Sequence, residues 1–219
     1  MKRFVVIGLG NFGSTVAMAL GDKGHEVIAI DRNEDTVQRV ADHVDRAVVG
    51  DGTDPAVLED VGCAEAEAAI ISTGDDVTAS VLAVLVAQDL KIRDVHVKVI
   101  SDIHARVVDR LGVTSTIFPE KDTGARLAES LGSSAVLNYL PLSPGFSVQE
   151  MAVPDEWIGK SLRELDLRHH YTVSVVAVHD MLTDTVSAVP DPDAPLKESD
   201  TLFVAGAEAR LDRVSKLVE

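Results

Sequence analysis

The chain has 219 residues, 46% of them hydrophobic and 26% charged, an ordinary balance for a water-exposed globular protein with one large or two small domains. Asp and Glu number 36 against 20 Lys and Arg, for a formal net charge of −16, which speaks against a broad basic face for nucleic acid and against a polybasic membrane anchor. The single cysteine, Cys63, excludes an intrachain disulfide and a multi-cysteine zinc site, and it fits a reducing cytoplasm.

Lys2 to Ile7 is a β-branched run ending at Gly8, the pattern of a buried parallel strand. Val5 to Leu9 is too short for a secretory apolar core. Asn11 to Lys23 follows as a helix, stopped at Gly24, and Glu26 to Ile30 is a second strand ending at Asp31. Asn33 caps a further helix, Arg46 to Val49 is a short strand closed by Gly50-Asp51-Gly52, and Pro55 opens the next helical turn. Ala68 to Ser72 reads as strand, Asp76 to Leu90 as helix, Asp94 to Ile100 as strand, Ile103 to Leu111 as helix and Thr114 to Phe118 as a short strand. This repetition predicts a doubly wound α/β domain with a parallel sheet, a Rossmann-type lobe.

The pattern changes after residue 120. Lys121 to Leu131 reads as one more helix, broken at Gly132-Ser133-Ser134, and Leu140 to Gly145 reads as a proline-containing connector. The expected division is therefore 1–140 and 141–219. The second part reads as a small α+β module: strand 147–153, helix 161–165, strands 172–178, 185–189 and 201–205, and helix 208–218, with a loop at Asp191 to Pro195.

The strongest motif is Gly8-Leu9-Gly10-Asn11-Phe12-Gly13. It follows a strand, opens a helix, and is answered by Asp31 at the end of the next strand, which together make the dinucleotide-binding fingerprint. Gly8 permits the tight turn, Gly10 lets phosphate oxygens approach the backbone, and Gly13 lets helix and strand pack. The helix N-terminus offers unpaired N–H groups to the phosphates. Asp31 can accept from ribose hydroxyls and would repel a 2′-phosphate, although the adjacent Arg32 points the other way. Further contacts are expected at the carboxyl ends of neighbouring strands, which selects Asp51, Gly52 and Thr53, and Thr73, Gly74 and Asp75; the plain alternative is that both are turns. Lys98, on an apolar strand, either reaches phosphates or snorkels at an edge.

No catalytic group declares itself. The seven histidines are scattered, and Cys63 reads as a small buried residue. Val81 to Ala87 is the longest apolar run, far below the ~20 residues that span a bilayer, so direct membrane insertion is not expected. The helix around that run is apolar nearly all round, which calls for a covering partner: another subunit, or the chain's own C-terminal part.

Taken together, the Gly8–Gly13 start, the Asp31 strand end, the Gly50–Asp54 and Thr73–Asp76 loops, the Val97-Lys98-Val99 strand and the Pro119–Leu131 segment resemble KTN/RCK proteins of the TrkA/KtrA type. These are cytosolic regulatory subunits of bacterial potassium uptake systems. Ile158 to Leu165 and Glu198 to Leu202 are similar to the RCK C-terminal lobe. The resemblance implies an adenine nucleotide (ATP, ADP or NAD(H)) bound by Gly8, Leu9, Gly10, Asn11, Phe12, Gly13, Asp31, Arg32, Asp51, Gly52, Thr53, Thr73, Gly74, Asp75 and Lys98. It implies that Glu120 contributes to a Mg²⁺ or Ca²⁺ site at a dimer interface. It further implies dimers assembling into an octameric ring on a membrane potassium-translocating subunit of the TrkH/KtrB type, and hence a cytoplasmic protein peripheral to the membrane. KtrA-type members often carry arginine where this chain has Asn11, which supplies no charge for a terminal phosphate. Some relatives bind cyclic di-AMP between two C-lobes, and Val173 to Val178 with Pro190 would line such a pocket here. The reading is thus a ligand-gated regulatory subunit, not an enzyme. The alternatives are a small NAD-dependent oxidoreductase, which would need an acid–base group near the nicotinamide, and a redox-sensing transcription factor, which would need a basic recognition helix.

Overall fold

A computed structural model describes residues 1–132 and 135–218. Its first lobe runs β1 (Arg3–Ile7), α1 (Asn11–Asp22), β2 (Glu26–Asp31), α2 (Glu34–Val40), β3 (Arg46–Val49), α3 (Pro55–Asp60), β4 (Ala68–Ile71), α4 (Val77–Asp89), β5 (Asp94–Lys98), α5 (Asp102–Arg110) and β6 (Ser115–Ile117). The strands form one six-stranded parallel sheet in the order β3-β2-β1-β4-β5-β6. Strand order reverses between β1 and β4, and the crevice beyond the carboxyl ends of those strands is where such sheets take ligands.

Burial explains the strand composition. Val5, Ile7, Ile28, Ile30, Ala69 and Ile71 fill one face of the sheet, while Val6, Val27, Ala29 and Ile70 fill the other, so a continuous apolar run needs no alternation. The helix starts are capped: Asn33, as the sequence suggests, and also Asp54, Asp76 and Ser101 each accept a backbone N–H of the following turn. Helix α4 is less evenly covered than its composition suggests. Ala83 and Val84 are fully buried, Val81 is half-buried, and Leu82 and Leu85 face outward at 44% and 40% exposure. On the adjacent α5, Ile103 and Val107 are exposed too.

Helix α6 (Pro119–Gly132) leads to the second lobe. The chain divides into two compact units, Met1–Glu120 and Lys121–Glu219, twenty residues earlier than the 140/141 division read from the sequence. The segment expected as a connector is instead part of β7 (Val136–Ser143), paired antiparallel with β8 (Phe146–Ala152). Pro141 is tolerated because β7 is an edge strand, where a missing N–H costs no ladder bond. Pro144 and Gly145 make the hairpin turn, with Gly145 at φ +76°. The expected break at Ser133-Ser134 lies outside the described residues.

Beyond β8 come α7 (Leu162–Leu165), α8 (Leu167–Tyr171), β9 (Ser174–Asp180), β10 (Thr185–Ser187), β11 (Asp200–Ala207) and α9 (Glu208–Ser215). The sheet is antiparallel, in the order β10-β9-β11-β8-β7. Its core gathers Met151, Trp157, Leu167, Leu202, Val204 and Leu211. Val173, Val175 and Val178 pack into this core, and Val176 alone of those valines is exposed. Among the described residues, no helix is long and apolar enough to cross a membrane.

Candidate nucleotide site

The glycine loop is shaped by contacts that leave its first and last glycines no alternative. A Cβ at Gly8, which sits at φ +91°, would lie 2.2 Å from the Ser72 carbonyl oxygen, and one at Gly13 would lie 1.9 Å from that of Gly8. A Cβ at Gly10 would meet nothing within 4 Å. Gly8 and Gly13 are therefore required by the fold, whereas Gly10 borders open space at the start of α1, where a phosphate would lie against backbone N–H groups.

Asp31 faces this loop. Its Oδ2 accepts from the Leu9 N–H at 2.6 Å and its Oδ1 from the Asn33 N–H at 2.8 Å. Each oxygen keeps a lone pair for a ribose hydroxyl. Across the mouth, Asp51 Oδ1 accepts from the Thr53 N–H at 2.9 Å and the Thr53 hydroxyl at 2.7 Å. Arg32 Nη2 lies 2.8 Å from both Asp51 oxygens. The Thr53 donations, with the Arg32 guanidinium beside them, lower the Asp51 pKa to about 2. Gly52 is also required, since a Cβ there would come within 2.2 Å of Ile7 Cγ2.

These groups enclose a cleft of about 360 Å³. Of the residues proposed from sequence, Gly8, Gly10, Asp31, Arg32, Asp51, Gly52, Thr53, Thr73 and Gly74 line it. Leu9, Asn11, Phe12, Gly13 and Asp75 do not, although Leu9 acts through its N–H on Asp31 and Gly13 through its packing. The cleft also takes in Asn33 and Thr36 from the start of α2, which sequence reasoning used only as a cap and a helix position. The signal was present: both follow the acidic strand end within five residues.

Lys98 and Glu120 are not in the cleft lining. They pair with each other, Lys98 Nζ to Glu120 Oε1 at 2.7 Å, with the lysine side chain only 15% exposed. The hydrogen bond from Lys98 holds the Glu120 carboxyl below the ordinary carboxylate range. A hard divalent cation takes six or more oxygens. Among the described residues no group of three or more His, Cys, Asp or Glu could hold one, and the Glu120 carboxylate is already met by an ammonium. The residues of one chain do not fit a metal there.

A second polar cluster, in the C-terminal lobe, was not legible in the sequence. Glu150 is buried on β8 and accepts from the Thr201 hydroxyl at 2.6 Å and from the Asn138 amide. His179 Nδ1 lies 3.1 Å from Glu150 Oε1, and its Nε2 lies 3.1 Å from Asp184 Oδ1. Burial pushes Glu150 up, but the donations from Thr201, Asn138 and His179 outweigh it and leave the pKa lowered. Glu150, then Asp184, raise that of His179.

Comparison with known proteins agrees with both lobes. Residues 4–119 match the TrkA-N domain and residues 148–219 the TrkA-C domain. The Ktr system potassium uptake protein C of Bacillus subtilis (strain 168) is 34% identical over 217 residues, covering 99% of this chain and 97% of that protein. The Ktr system potassium uptake protein A of Vibrio alginolyticus is 34% identical over 210 residues, covering 96% and 94%. Among solved structures, the GsuK channel bound to NAD matches with a TM-score of 0.55 at 22% identity, over 100% of this chain and 38% of that one, a likeness of fold alone. With a TrkA-N lobe, a TrkA-C lobe and a third of its residues shared end to end with Ktr proteins, the chain belongs to the TrkA/Ktr family of potassium uptake proteins.

Proposed function

We propose that the chain is a cytosolic regulatory subunit that binds an adenine nucleotide in its first lobe and controls a membrane potassium-translocating partner. The observation that carries the nucleotide half is the Asp31 carboxylate, fixed by the Leu9 and Asn33 N–H groups and facing the Gly8–Gly13 loop. A carboxylate held this way recognises a vicinal diol, while the loop and the start of α1 receive phosphate. ATP, ADP and NAD(H) share those features. The potassium half is supported by the near full-length similarity to the Ktr proteins. An oxidoreductase would need a proton donor or acceptor beside the nicotinamide; the near full-length relatives are potassium uptake proteins, which favours the regulatory reading over that one.

Control of a membrane partner works by population shift: nucleotide moves the assembly between shapes only as far as it prefers one of them. The outward Leu82 and Leu85 of α4, beside Ile103 and Val107 of α5, are the proposed surface for self-assembly into a ring. The proposal is tested in two arms. Asp31→Ala should weaken ADP and NAD⁺ binding by about 1.5–3 kcal/mol in calorimetry, the worth of a hydrogen bond to a charged group. Co-expression with a Ktr-type translocating subunit should restore growth of a potassium-uptake-deficient strain at limiting potassium, and Asp31→Ala should impair it. Unchanged affinity removes the cleft from the reading; no rescue by the wild-type chain removes the potassium role.

A further inference from the structure

Arg32 poses a question that Asp31 alone does not. An arginine one residue beyond the acidic strand end is well placed to receive a ribose 2′-phosphate, so the sequence by itself points towards both kinds of adenosine ligand. In the structure one edge of the guanidinium is committed elsewhere: Nη2 is 2.8 Å from each oxygen of Asp51. Asp51 is in turn fixed by the N–H and hydroxyl of Thr53, and Gly52 between them packs so close to β1 that an added Cβ would strike Ile7. The acceptor of the pair is thus built into the β3–α3 loop, while its donor arrives from β2. We infer that the Arg32–Asp51 ion pair is a selectivity latch, which withholds Arg32 from a 2′-phosphate and restricts the cleft to adenosine ligands with a free 2′,3′-diol.

The charge count supports this. Among the described residues, Asp31, Asp51 and Asp76 line the cleft against Arg32 as its one lining cation. A 2′-phosphate is a near-dianion at neutral pH. A 2′-phosphate at Arg32 competes with Asp51 for the guanidinium and faces all three carboxylates, Asp31, Asp51 and Asp76. Asp51, held at a pKa of about 2, stays ionised throughout the neutral range. A free diol brings no charge and asks only for the acceptor capacity of Asp31. The inference rests on the proposed nucleotide reading of the same cleft.

The test uses the smallest ligands that differ by the group in question, 5′-AMP and adenosine 2′,5′-bisphosphate, with ADP and NAD⁺ alongside, by calorimetry on the full chain. The wild-type protein should prefer 5′-AMP by about tenfold or more. Asp51→Asn keeps an acceptor for Thr53 and frees Arg32; it should shift the preference towards the bisphosphate by about tenfold. Adding Arg32→Ala to that variant should cancel the shift. A wild-type protein that binds the two within about threefold of each other overturns the latch without any variant having to fold. So does an Asp51→Asn preference equal to wild type, or a shift that survives loss of Arg32. In those three cases 5′-AMP still binds and the nucleotide reading stands; binding of none of the four ligands overturns both.

Discussion

Gly10→Ala separates what the glycine loop does for the fold from what it does for a ligand. Gly10 has φ −63° and ψ −173°, ordinary extended backbone open to alanine, and a Cβ there meets nothing within 4 Å. Two small effects oppose each other in stability. Alanine is a poorer helix N-cap than glycine, while losing a glycine removes about 0.4–1 kcal/mol of unfolded-state entropy. The net change in unfolding free energy is therefore expected within about 1 kcal/mol. Binding is another matter, because the methyl occupies the space where phosphate oxygens meet the N–H groups at the start of α1. Loss of one such charged hydrogen bond, about 1.5–3 kcal/mol, weakens ADP by about 10- to 150-fold. Gly13→Ala is the counterpart: its Cβ would sit 1.9 Å from a backbone oxygen that has no flexible end to move, so it should cost at least the 1–3 kcal/mol of overpacking even without ligand. Urea denaturation and calorimetry on both variants read the two effects separately. A Gly10→Ala protein with wild-type stability and wild-type ADP affinity refutes the placement of phosphate at this loop.

Three further outcomes are expected. Leu85→Asp on the outward face of α4 should lower the assembly state seen by light scattering, whereas Val84→Asp, fully buried, should unfold the lobe instead; an unchanged mass for Leu85→Asp points the assembly surface elsewhere. Because Lys98 already pairs with Glu120, Mg²⁺ or Ca²⁺ should change ADP affinity by the same factor in the wild type and in Glu120→Gln; a metal effect confined to the wild type would place the cation at Glu120. His179 has a raised pKa, so its stabilising contribution is complete below the unfolded value near 6.5 and fades as pH rises through the folded one. The Glu150 contribution has the opposite sign, present above the ordinary carboxylate value and lost as pH falls through the depressed one. Thermal denaturation should show the deficit of His179→Gln shrinking as pH rises through the raised folded pKa, above the ordinary value of 6.5, and a deficit independent of pH would deny His179 a protonated role.

The first lobe was legible because its signals are local. A β-branched run, a glycine turn and a capped helix each lie within a dozen residues, and their repetition leaves few topologies. The second lobe was less so. Pro141 read as a connector because proline usually ends a strand, and only the position of β7 at the sheet edge reverses that inference. Helix α8 escaped because it is five residues between left-handed Asp166 and Thr172, too short for any period. The site shows the same division. Asp31 announces itself by spacing, but its neighbour Arg32 could not be assigned from sequence, since its partner Asp51 comes from another strand end. Glu150 and His179 lie on strands β8 and β9, which are both paired to β11 but not to each other, so no motif joins them.

The distribution of fixed and exchangeable contacts constrains how a nucleotide could act on an assembly. Moving a two-state equilibrium from about 1:99 to 99:1 requires about 10⁴-fold differential affinity, roughly 5.5 kcal/mol. At about 1.5–3 kcal/mol for each hydrogen bond to a charged group, that is two or three contacts made in one state and not in the other. The acceptors at the adenosine end are poor candidates. Asp31 is tied to the Leu9 and Asn33 backbone, and Asp51 to Thr53 within its own loop, so they meet the ribose alike in every state that keeps the lobe folded. Lys98 differs. Its partner Glu120 is the last residue of the first compact unit and lies in the first turn of α6, whose residues from Lys121 onward belong to the second. Lys98 lies outside the cleft lining, so a phosphate chain that extended beyond the lining to it would compete with Glu120 at the segment where the chain passes from one unit to the other. On the nucleotide reading, any difference between ligands that share an adenosine therefore lies at the phosphate end, not the adenosine end.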